Sequence, residues 1–208
     1  MSRLIIIGAG GHGKVAADCA EAMQCFDSIA FLDVDTSRSR VANTWDLLGH
    51  ANDWCDFNDS DVCWFVAIGN NQIRRRELEQ ILSTGANVVT LIHPGAVVSP
   101  YSQIGVGTLV CANSVINPFT QIGIGCILNT ASSIDHDNVI GDFVHIAPGC
   151  HLAGDVQVGN GSFLGIATTV IQGLKIGQNV QAGAGSVVVK DIPNDAFALG
   201  VPARIKDK

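Results

Sequence analysis

The second half of the chain carries an apolar residue at every sixth position. The pattern begins at Val98 and reaches Val188 without a change of phase. Its members are Val98, Ile104, Val110, Ile116, Ile122, Leu128, Ile134, Ile140, Ile146, Leu152, Val158, Leu164, Val170, Ile176, Ala182 and Val188. A period of six fits neither the 3.6-residue turn of a helix nor the two-residue alternation of an ordinary strand. It is typical of a β-helix built from hexapeptides, each forming one short strand and one turn.

Three hexapeptides are expected to close one triangular coil of eighteen residues. Each inward aliphatic side chain then stacks on its equivalent eighteen residues later, so that Ile116, Ile134 and Leu152 belong to one internal column. Glycine often follows the aliphatic residue and suits the backbone angles of tight corners. Because one coil cannot bury its own interior, the stability of such a domain comes from contacts between neighbouring coils.

The first ninety residues predict a small α/β domain. Apolar runs at 4–7, 29–33, 62–68 and 88–91 predict buried strands, and the segments 15–23 and 72–83 predict helices. Strands that alternate with helices indicate βαβ units and a parallel sheet. The predicted domains are therefore 1–92 and 93–208, with a short tail at the end of the second.

The first predicted strand ends in a glycine-rich loop that opens the first helix. Gly8, Gly10 and Gly13 match a dinucleotide fingerprint, and Asp33 follows twenty residues after Gly13 at a strand end. A glycine loop at a helix N-terminus presents N–H groups and a positive dipole end to phosphate. Since the α/β unit is half the size of a full dinucleotide domain, we interpret the loop as a site for a nucleoside diphosphate. NAD binding and a purely structural turn remain alternatives.

The next strand contributes residues to the same edge of the sheet. Gly69 and Asn70 follow the third predicted strand, and ligands of such sheets bind at the carboxyl ends of the strands. The consecutive residues Arg74, Arg75 and Arg76 lie on the following helix and are interpreted as a solvent-exposed face.

Composition and charge limit the classes of partner that this protein can bind. The formal net charge of −7 argues against a general nucleic-acid binder, which needs a basic surface. An odd number of cysteines, seven, without a CxxC pair and without a signal-peptide pattern predicts reduced thiols and a cytoplasmic location. No apolar run approaches the roughly 20 residues of a membrane span, so no membrane partner is expected.

The predicted β-helix contains one notable group of ionisable residues. Asp135, His136 and Asp137 are consecutive, and Asp142 and His145 follow. Histidine is the natural general base at neutral pH, and a neighbouring carboxylate fixes its tautomer and raises its basicity. His136 also has Gly154 eighteen residues later, where the missing side chain leaves room beside the imidazole.

Two other chemistries are less favoured by the sequence. A covalent acyl-enzyme through Cys126 or Cys150 lacks an evident histidine partner. A metal site built from His136, His145 and His151 is not expected, because the last two fall at successive positions around a coil and do not converge.

The chain resembles the bacterial sugar acetyltransferases of the hexapeptide-repeat superfamily. Within it, the chain is similar to the enzymes that N-acetylate the 4-amino group of UDP-, dTDP- or GDP-linked 4-amino-4,6-dideoxy sugars, with the sialic-acid O-acetyltransferase-like proteins as close relatives. The resemblance covers nearly the whole length. It rests on the segments 7–13 (IGAGGHG), 65–71 (FVAIGNN), 91–94 (LIHP), 134–137 (IDHD), 140–145 (IGDFVH) and 200–204 (GVPAR).

This resemblance implies a fold and a reaction. The fold is a Rossmann-like, nucleotide-sugar-binding α/β domain followed by an all-β left-handed parallel β-helix. The reaction is direct transfer from acetyl-CoA, which serves as co-substrate without a metal, to the sugar amine in surface polysaccharide or glycan biosynthesis. A homotrimer with the acyl site between neighbouring β-helices is implied as well. Sugar O-acetylation and a non-catalytic trimeric scaffold remain alternatives.

The resemblance also implies residue roles. His136 is the general base and Asp137 supports it, although relatives often carry the longer Glu at this place and Asp135 is an alternative support. The implied nucleotide-sugar residues are Gly10, Gly11, His12, Asp33, Gly69 and Asn70. The implied acetyl-CoA residues are His145, Gly154, Ile166, Gly183 and Ala184.

Overall fold

A computed structural model describes residues 2–206 of the chain, so the outermost residues of the two predicted domains, Met1, Asp207 and Lys208, lie outside the described residues. The chain separates into two compact units, one ending at Pro94 and the other beginning at Gly95. None of the helices within the described range is long and apolar enough to cross a membrane.

The N-terminal unit is an α/β domain around one five-stranded sheet. Its elements are β1 (Arg3–Ile7), α1 (Gly11–Met23), β2 (Ser28–Asp33), β3 (Arg40–Val41), β4 (Trp45–His50), a 3-10 helix (Ala51–Phe57), β5 (Val62–Val66), α2 (Asn71–Ser83) and β6 (Leu91–Ile92). The strand order is β3-β4-β2-β1-β5, and β1 runs parallel to both of its neighbours. All five residues of β5 are buried, which explains its uninterrupted apolar run.

The order of the strands creates a crevice at the carboxyl edge of this sheet. The chain proceeds from β1 to β2 on one side and later returns to β5 on the other side of β1. The loops that follow β1 and β5 are therefore neighbours, and the N–H of Ala67 donates to the carbonyl of Ile7 at 2.8 Å. Such a change of direction is where open α/β sheets bind ligands.

Two parts of this unit differ from the sequence prediction. The predicted strand at 88–91 is present only in part: Val88 forms a single parallel bridge to Trp64, and the next strand is limited to Leu91–Ile92. The β3–β4 hairpin and the 3-10 helix were not predicted. Residues of β4 are mostly half-buried and lack a clear alternation, so their strand depends on pairing with β2 and not on a local pattern.

The C-terminal unit is a left-handed parallel β-helix with three sheets. The first sheet contains β7 (Val97–Val98), β10 (Val115–Ile116), β13 (Ser133–Ile134), β16 (His151–Leu152), β19 (Thr169–Val170) and β22 (Val187–Val188). The second contains β8 (Gln103–Ile104), β11 (Gln121–Ile122), β14 (Val139–Ile140), β17 (Gln157–Val158) and β20 (Lys175–Ile176). To the third this unit contributes β9 (Leu109–Val110), β12 (Ile127–Leu128), β15 (His145–Ile146), β18 (Phe163–Leu164), β21 (Gln181–Ala182), β23 (Phe197–Leu199) and β24 (Arg204–Lys206).

The register of these strands is the predicted eighteen-residue repeat. Ile116 pairs with Ile134, which pairs with Leu152, and the same offset recurs in all three sheets. Every sixth-position residue from Val110 to Val188 is buried, so the aliphatic columns form the core of the unit.

Buried hydroxyl groups hold the corners of one coil to the next. Ser114 and Thr120 are almost fully buried. The hydroxyl of Ser114 donates to the carbonyl of Asn129 at 2.9 Å, and that of Thr120 donates to the carbonyl of Asp135 at 2.6 Å. Small polar residues at these positions therefore satisfy backbone groups that turn away from the strand ladders.

Candidate active site

The imidazole of His136 is held by the carboxylate of Asp137. His136 lies at the corner between the first and second sheets, just after β13. Its Nδ1 is 2.8 Å from Oδ2 of Asp137. The side chain of an aspartate is therefore long enough here, and Asp137, not Asp135, contacts the ring. Asp137 has a φ of +61°, a left-handed conformation that aspartate tolerates better than most residues.

Asp135 has a different role at the same corner. Its Oδ1 accepts hydrogen bonds from the backbone N–H of His136 and from Nδ2 of Asn117, both at 2.9 Å. Its backbone carbonyl accepts from Thr120 and from Nδ2 of Asn138 at 2.7 Å. These bonds fix the backbone on which the imidazole stands. The sequence analysis missed both asparagines, although Asn117 lies eighteen residues before Asp135 and the repeat could have placed it there.

Gly154 lies directly beside the ring, as the eighteen-residue repeat predicts. A Cβ atom added to Gly154 would stand 2.5 Å from Cε1 and 2.7 Å from Nε2 of His136. Only glycine leaves room for the imidazole in this position. The N–H of Gly154 donates to no other group within residues 2–206, whereas the N–H groups of Gly183 and Gly185 donate to the carbonyls of Ala198 and Ile166.

The charges around His136 favour its protonated form. The hydrogen bond that Nδ1–H donates to the carboxylate of Asp137 is the main cause that raises the pKa of His136 above its ordinary value. Partial desolvation opposes this effect, and the negative charges of Asp135, Asp137 and Asp155 add to it. With Nδ1 bonded to the carboxylate, the neutral ring keeps its proton on Nδ1 and leaves Nε2 as the basic atom.

Four of the five residues implied for acetyl-CoA lie at two corners of the β-helix, and the fifth, His145, lies on β15. Gly154 is at the His136 corner, between the first and second sheets. Ile166, Gly183 and Ala184 follow β18 and β21 and lie at the corner between the third and first sheets. Ile166 is 58% exposed, so it is available for contact with a ligand or another subunit.

His145 and Asp142 do not belong to the His136 corner. His145 lies on β15 of the third sheet, half-buried, with Nε2 at 3.2 Å from Nδ2 of Asn129 and its ring edge-on to Phe163. Oδ1 of Asp142 accepts the N–H of Ile124 at 3.0 Å. Asp142 therefore joins coils, and the ionisable group seen in the sequence is divided between different corners.

The cysteines considered as nucleophiles are enclosed in the core. Cys150 and Cys126 are both buried. Burial raises the pKa of the Cys150 thiol, and its Sγ donates to the carbonyl of Gly165 at 3.1 Å. Because the thiolate is the reactive form, a buried thiol with a raised pKa is a poor nucleophile.

The glycine loop of the N-terminal unit contains two kinds of glycine. Gly8 has a φ of +104°, and a Cβ on Gly13 would collide with the carbonyl oxygen of Gly8, so these two shape the turn. Gly10 and Gly11 are exposed, with no atom within 4 Å of an added Cβ. They begin α1, whose N-cap has no side-chain hydrogen bond. This end of the helix is therefore open to an anion.

Asp33 fastens this loop from the end of β2. Its Oδ2 accepts the N–H of Ala9 at 2.5 Å, and its Oδ1 accepts the N–H of Asp35 at 2.9 Å. The sequence assigned Asp33 to a ligand; the structure adds that its carboxylate positions the glycine loop.

His12 is neutral at physiological pH. Burial is the main cause that lowers its pKa to about 4, and the nearby charge of Arg74 contributes to the same shift. A neutral ring offers a ligand hydrogen bonds and no charge.

Arg74 corrects the interpretation of the three consecutive arginines as an exposed face. Its side chain is 1% exposed, and its guanidinium donates to the carbonyls of Ile68 and Gly69 at 2.9 and 3.2 Å and to Oδ1 of Asn71 at 2.8 Å. Helical phase explains this, because Arg74 shares the buried face of α2 with Leu78 and Ile81. That spacing was visible in the sequence.

Asn70 caps the same helix. Its Oδ1 accepts the N–H groups of Gln72 and Ile73 at 3.0 Å each. The side-chain oxygen of Asn70 therefore caps the helix and is not free to contact a ligand.

The described part of the chain offers no candidate metal site, because no group of three or more His, Cys, Asp or Glu side chains there could hold an ion.

Comparisons with known proteins indicate the family of the chain. Residues 3–81 match the family model described as the PglD N-terminal domain. A curated relative, UDP-N-acetylbacillosamine N-acetyltransferase of Bacillus subtilis (strain 168), is 36% identical over 109 residues. That match covers 51% of this chain and 50% of the relative, so it spans about half the length of the curated protein.

The solved structures that match nearly the entire chain include complexes of two relatives with acetyl-CoA or CoA. One is the acetyltransferase domain of PglB from Neisseria gonorrhoeae FA1090 in complex with acetyl coenzyme A, with 38% identity, a TM-score of 0.94 and 98% of each chain covered. The other is a histidine-to-asparagine variant of perosamine N-acetyltransferase from Caulobacter crescentus in complex with CoA and GDP-perosamine. It has 36% identity and a TM-score of 0.94, and it covers 100% of this chain and 98% of that one.

Proposed function

This chain belongs to the family of hexapeptide-repeat N-acetyltransferases of nucleotide-linked amino sugars, and on that premise we propose its reaction. It transfers the acetyl group of acetyl-CoA to the 4-amino group of a nucleotide-linked 4-amino-4,6-dideoxy sugar. The observation that carries this proposal is the pair formed by Asp137 and His136 above Gly154. It combines an oriented base, held at Nδ1 by Asp137, with an imidazole whose side chain is 59% exposed and fits against the missing side chain of Gly154.

His136 acts as the general base. Its Nδ1–H donates to Asp137, so Nε2 accepts a proton from the sugar amine as the nitrogen attacks the thioester carbonyl. The new C–N bond forms, the C–S bond breaks, and CoA leaves as the thiolate that takes up the proton. Asp137 stabilises the transient imidazolium, as the carboxylate of a catalytic triad does.

The N–H of Gly154 is the best-supported donor to the developing oxyanion. Gly154 packs against the imidazole, and its N–H has no acceptor within residues 2–206, while the N–H groups of Gly183 and Gly185 are used in the coil-to-coil ladder. An N–H aimed at the developing charge contributes about 2.7–4 kcal/mol in well-studied enzymes.

Transfer is direct and does not pass through an acyl-cysteine. The buried thiol of Cys150, with its raised pKa, cannot meet a thioester without opening the core. The main rate advantage then comes from holding two substrates together, which contributes roughly 7–11 kcal/mol.

The nucleotide binds to the N-terminal unit. Gly10 and Gly11 offer the open N-terminus of α1, His12 offers a neutral ring, and Gly69 lies at the end of the neighbouring strand. An acidic chain with net charge −7 needs such local donors to hold a diphosphate.

The active form is a homotrimer with acetyl-CoA between neighbouring β-helices. The residues implied for acetyl-CoA support this, because Gly154 and Ile166 lie at two different corners of one coil. In a trimer, the corner that carries Gly154 in one subunit faces the corner that carries Ile166 in the next, so that both residues contact the same pantetheine arm. Sedimentation equilibrium tests this assembly, and a monomeric active enzyme would contradict it.

The reaction itself is tested by thiol release from acetyl-CoA with a panel of UDP-, dTDP- and GDP-linked 4-amino-4,6-dideoxy sugars. We expect turnover with at least one of them and a product about 42 Da heavier, the mass that an acetyl group adds. Mild base should leave the product intact, since an amide survives conditions that cleave an ester. Base-labile product would assign O-acetylation, and no thiol release with any sugar would contradict the proposal.

A further inference from the structure

Arg74 is a buried charge that the proposed mechanism does not use. Its side chain is 1% exposed, on the face of α2 that also buries Leu78 and Ile81, and it lies behind the loop that follows β5. Burying a guanidinium is costly unless its donors are satisfied. Its acceptors include two consecutive main-chain carbonyls, those of Ile68 and Gly69, together with Oδ1 of Asn71.

The two carbonyl contacts determine where the corresponding N–H groups point. In a planar trans peptide, the C=O and the N–H point in opposite directions. The carbonyl of Ile68 shares a peptide with the N–H of Gly69, and the carbonyl of Gly69 shares one with the N–H of Asn70. Because both carbonyls face Arg74, both N–H groups face away from it.

These two N–H groups are available to a ligand. Gly69 and Asn70 are both exposed, and neither N–H donates to any group within residues 2–206. No atom lies within 4 Å of a Cβ built on Gly69, so the space in front of them is open. Adjacent N–H groups of this kind form concavities that bind anions.

The electrostatics of the crevice favour an anion as well. His12 of the neighbouring loop is neutral, and the charge of Arg74 is one of the causes that lower its pKa. The positive charge behind the loop therefore stays on Arg74. Because this charge polarises the two carbonyls that it contacts, the N–H groups of the same peptides become stronger donors on the crevice side.

We propose that Arg74 is a positioning residue that turns the N–H groups of Gly69 and Asn70 into an anion-binding pair for the diphosphate of the nucleotide sugar. This inference rests on the proposed function and names the part of the substrate that the site holds. Arg74 acts through the loop and does not touch the ligand, because its side chain is buried.

The test is calorimetric titration of the full chain with UDP, dTDP and GDP and with the corresponding nucleosides. The variants are Arg74→Gln, which removes the charge, and Arg74→Lys, which keeps the charge but loses the planar fork. Arg76→Gln is the matched control, since Arg76 is on the same helix, 72% exposed in its side chain, and paired with Glu77.

We expect Arg74→Gln to weaken the diphosphate that binds the wild type by roughly 10- to 100-fold, as for loss of a charge-assisted interaction. Nucleoside affinity should change less than threefold, Arg74→Lys should be intermediate, and Arg76→Gln should match the wild type. In steady-state kinetics the KM for the nucleotide sugar should rise while the KM for acetyl-CoA stays constant.

Equal binding of the diphosphate by wild type and Arg74→Gln would overturn the inference. Equal losses for the diphosphate and its nucleoside would also overturn it, because Arg74 would then maintain only the general shape of the loop. If Arg74→Gln does not fold, the decision rests on Arg74→Lys, which lacks the planar guanidinium. If Arg74→Lys binds the diphosphate with the affinity of the wild type, the proposed role of the carbonyl contacts is contradicted. A wild type that binds no nucleoside diphosphate would remove the proposed function itself, before any variant is compared.

Discussion

Replacing Gly154 with alanine should separate activity from stability. The new Cβ would stand 2.5 Å from Cε1 and 2.7 Å from Nε2 of His136. Non-bonded carbon atoms prefer separations of about 3.5–4.0 Å, so the ring has to move by about 1 Å. A misplacement of about 1 Å in a reacting group costs roughly 10²-fold in rate. We therefore expect kcat of Gly154→Ala to fall by about two orders of magnitude.

The same substitution should have little effect on folding. The clash is with a side chain that is 59% exposed and can move outward into water. We expect the free energy of unfolding to change by less than about 1 kcal/mol, as for surface substitutions. Gly159→Ala is the contrasting variant, because its Cβ would meet backbone atoms of Gly177 and Gln178 at 2.6 Å. Backbone in the coil cannot move aside, so Gly159→Ala should lower the melting temperature.

The assay is initial-rate thiol release, with urea unfolding of each variant as the check on folding. A kcat for Gly154→Ala within threefold of wild type would refute the reasoning, since the imidazole would then work from another position. The double variant His136→Ala/Gly154→Ala isolates the cause. Without a ring to displace, alanine at 154 should not lower the residual rate further, and an additional fall would show that the methyl group acts elsewhere.

Three further outcomes are expected. Asp137→Asn removes the carboxylate that raises the pKa of His136, so the rising limb of the kcat–pH profile should move to lower pH while the plateau falls; an unshifted limb would separate Asp137 from the base. Cys150→Ala should leave kcat within threefold of wild type, and a burst of CoA from wild type alone would favour an acyl-cysteine instead. His12→Gln should make the free energy of unfolding less dependent on pH under acidic conditions. The pKa of His12 is about 4 in the folded protein and near 6.5 in the unfolded chain. The unfolded chain therefore binds the proton first, and the folded state loses stability as the pH falls through this range. Linkage puts the loss at about 2 kcal/mol between pH 7 and pH 5 in wild type, and urea midpoints that fall equally in wild type and His12→Gln would contradict the burial of a neutral ring.

The β-helix could be predicted from sequence because its core contacts recur at one fixed separation along the chain. Each inward side chain contacts its equivalent eighteen residues away, so the period of Ile116, Ile134 and Leu152 contains the three-dimensional arrangement. The same spacing in the sequence is enough to place Gly154 beside His136. It could have placed Asp142 too, since Ile124 precedes it by eighteen residues and donates its N–H to the carboxylate.

The rest of the site depends on contacts that no period reveals. Asn138 supports the His136 corner with hydrogen bonds from its Nδ2 to the carbonyls of Asp135 and Ala153, three and fifteen residues away. Asn117 is an exception, because it precedes its partner Asp135 by eighteen residues and could have been placed in the same way as Asp142. The β4 strand exists because of its pairing with β2 and has no pattern of its own. Arg74 is an intermediate case, because its helical spacing from Leu78 marked a buried position, but the repeated charge of the three arginines suggested solvent.

The central claim is that His136 takes the proton from a nucleotide-linked amino sugar, and single-turnover transfer by His136→Asn tests it most directly. With both substrates saturating, we expect the rate of acetyl transfer to fall by about 10²–10⁴-fold, while the Kd of CoA measured by calorimetry stays within threefold of wild type. Transfer by His136→Asn at close to the wild-type rate, with CoA bound normally, would contradict the account.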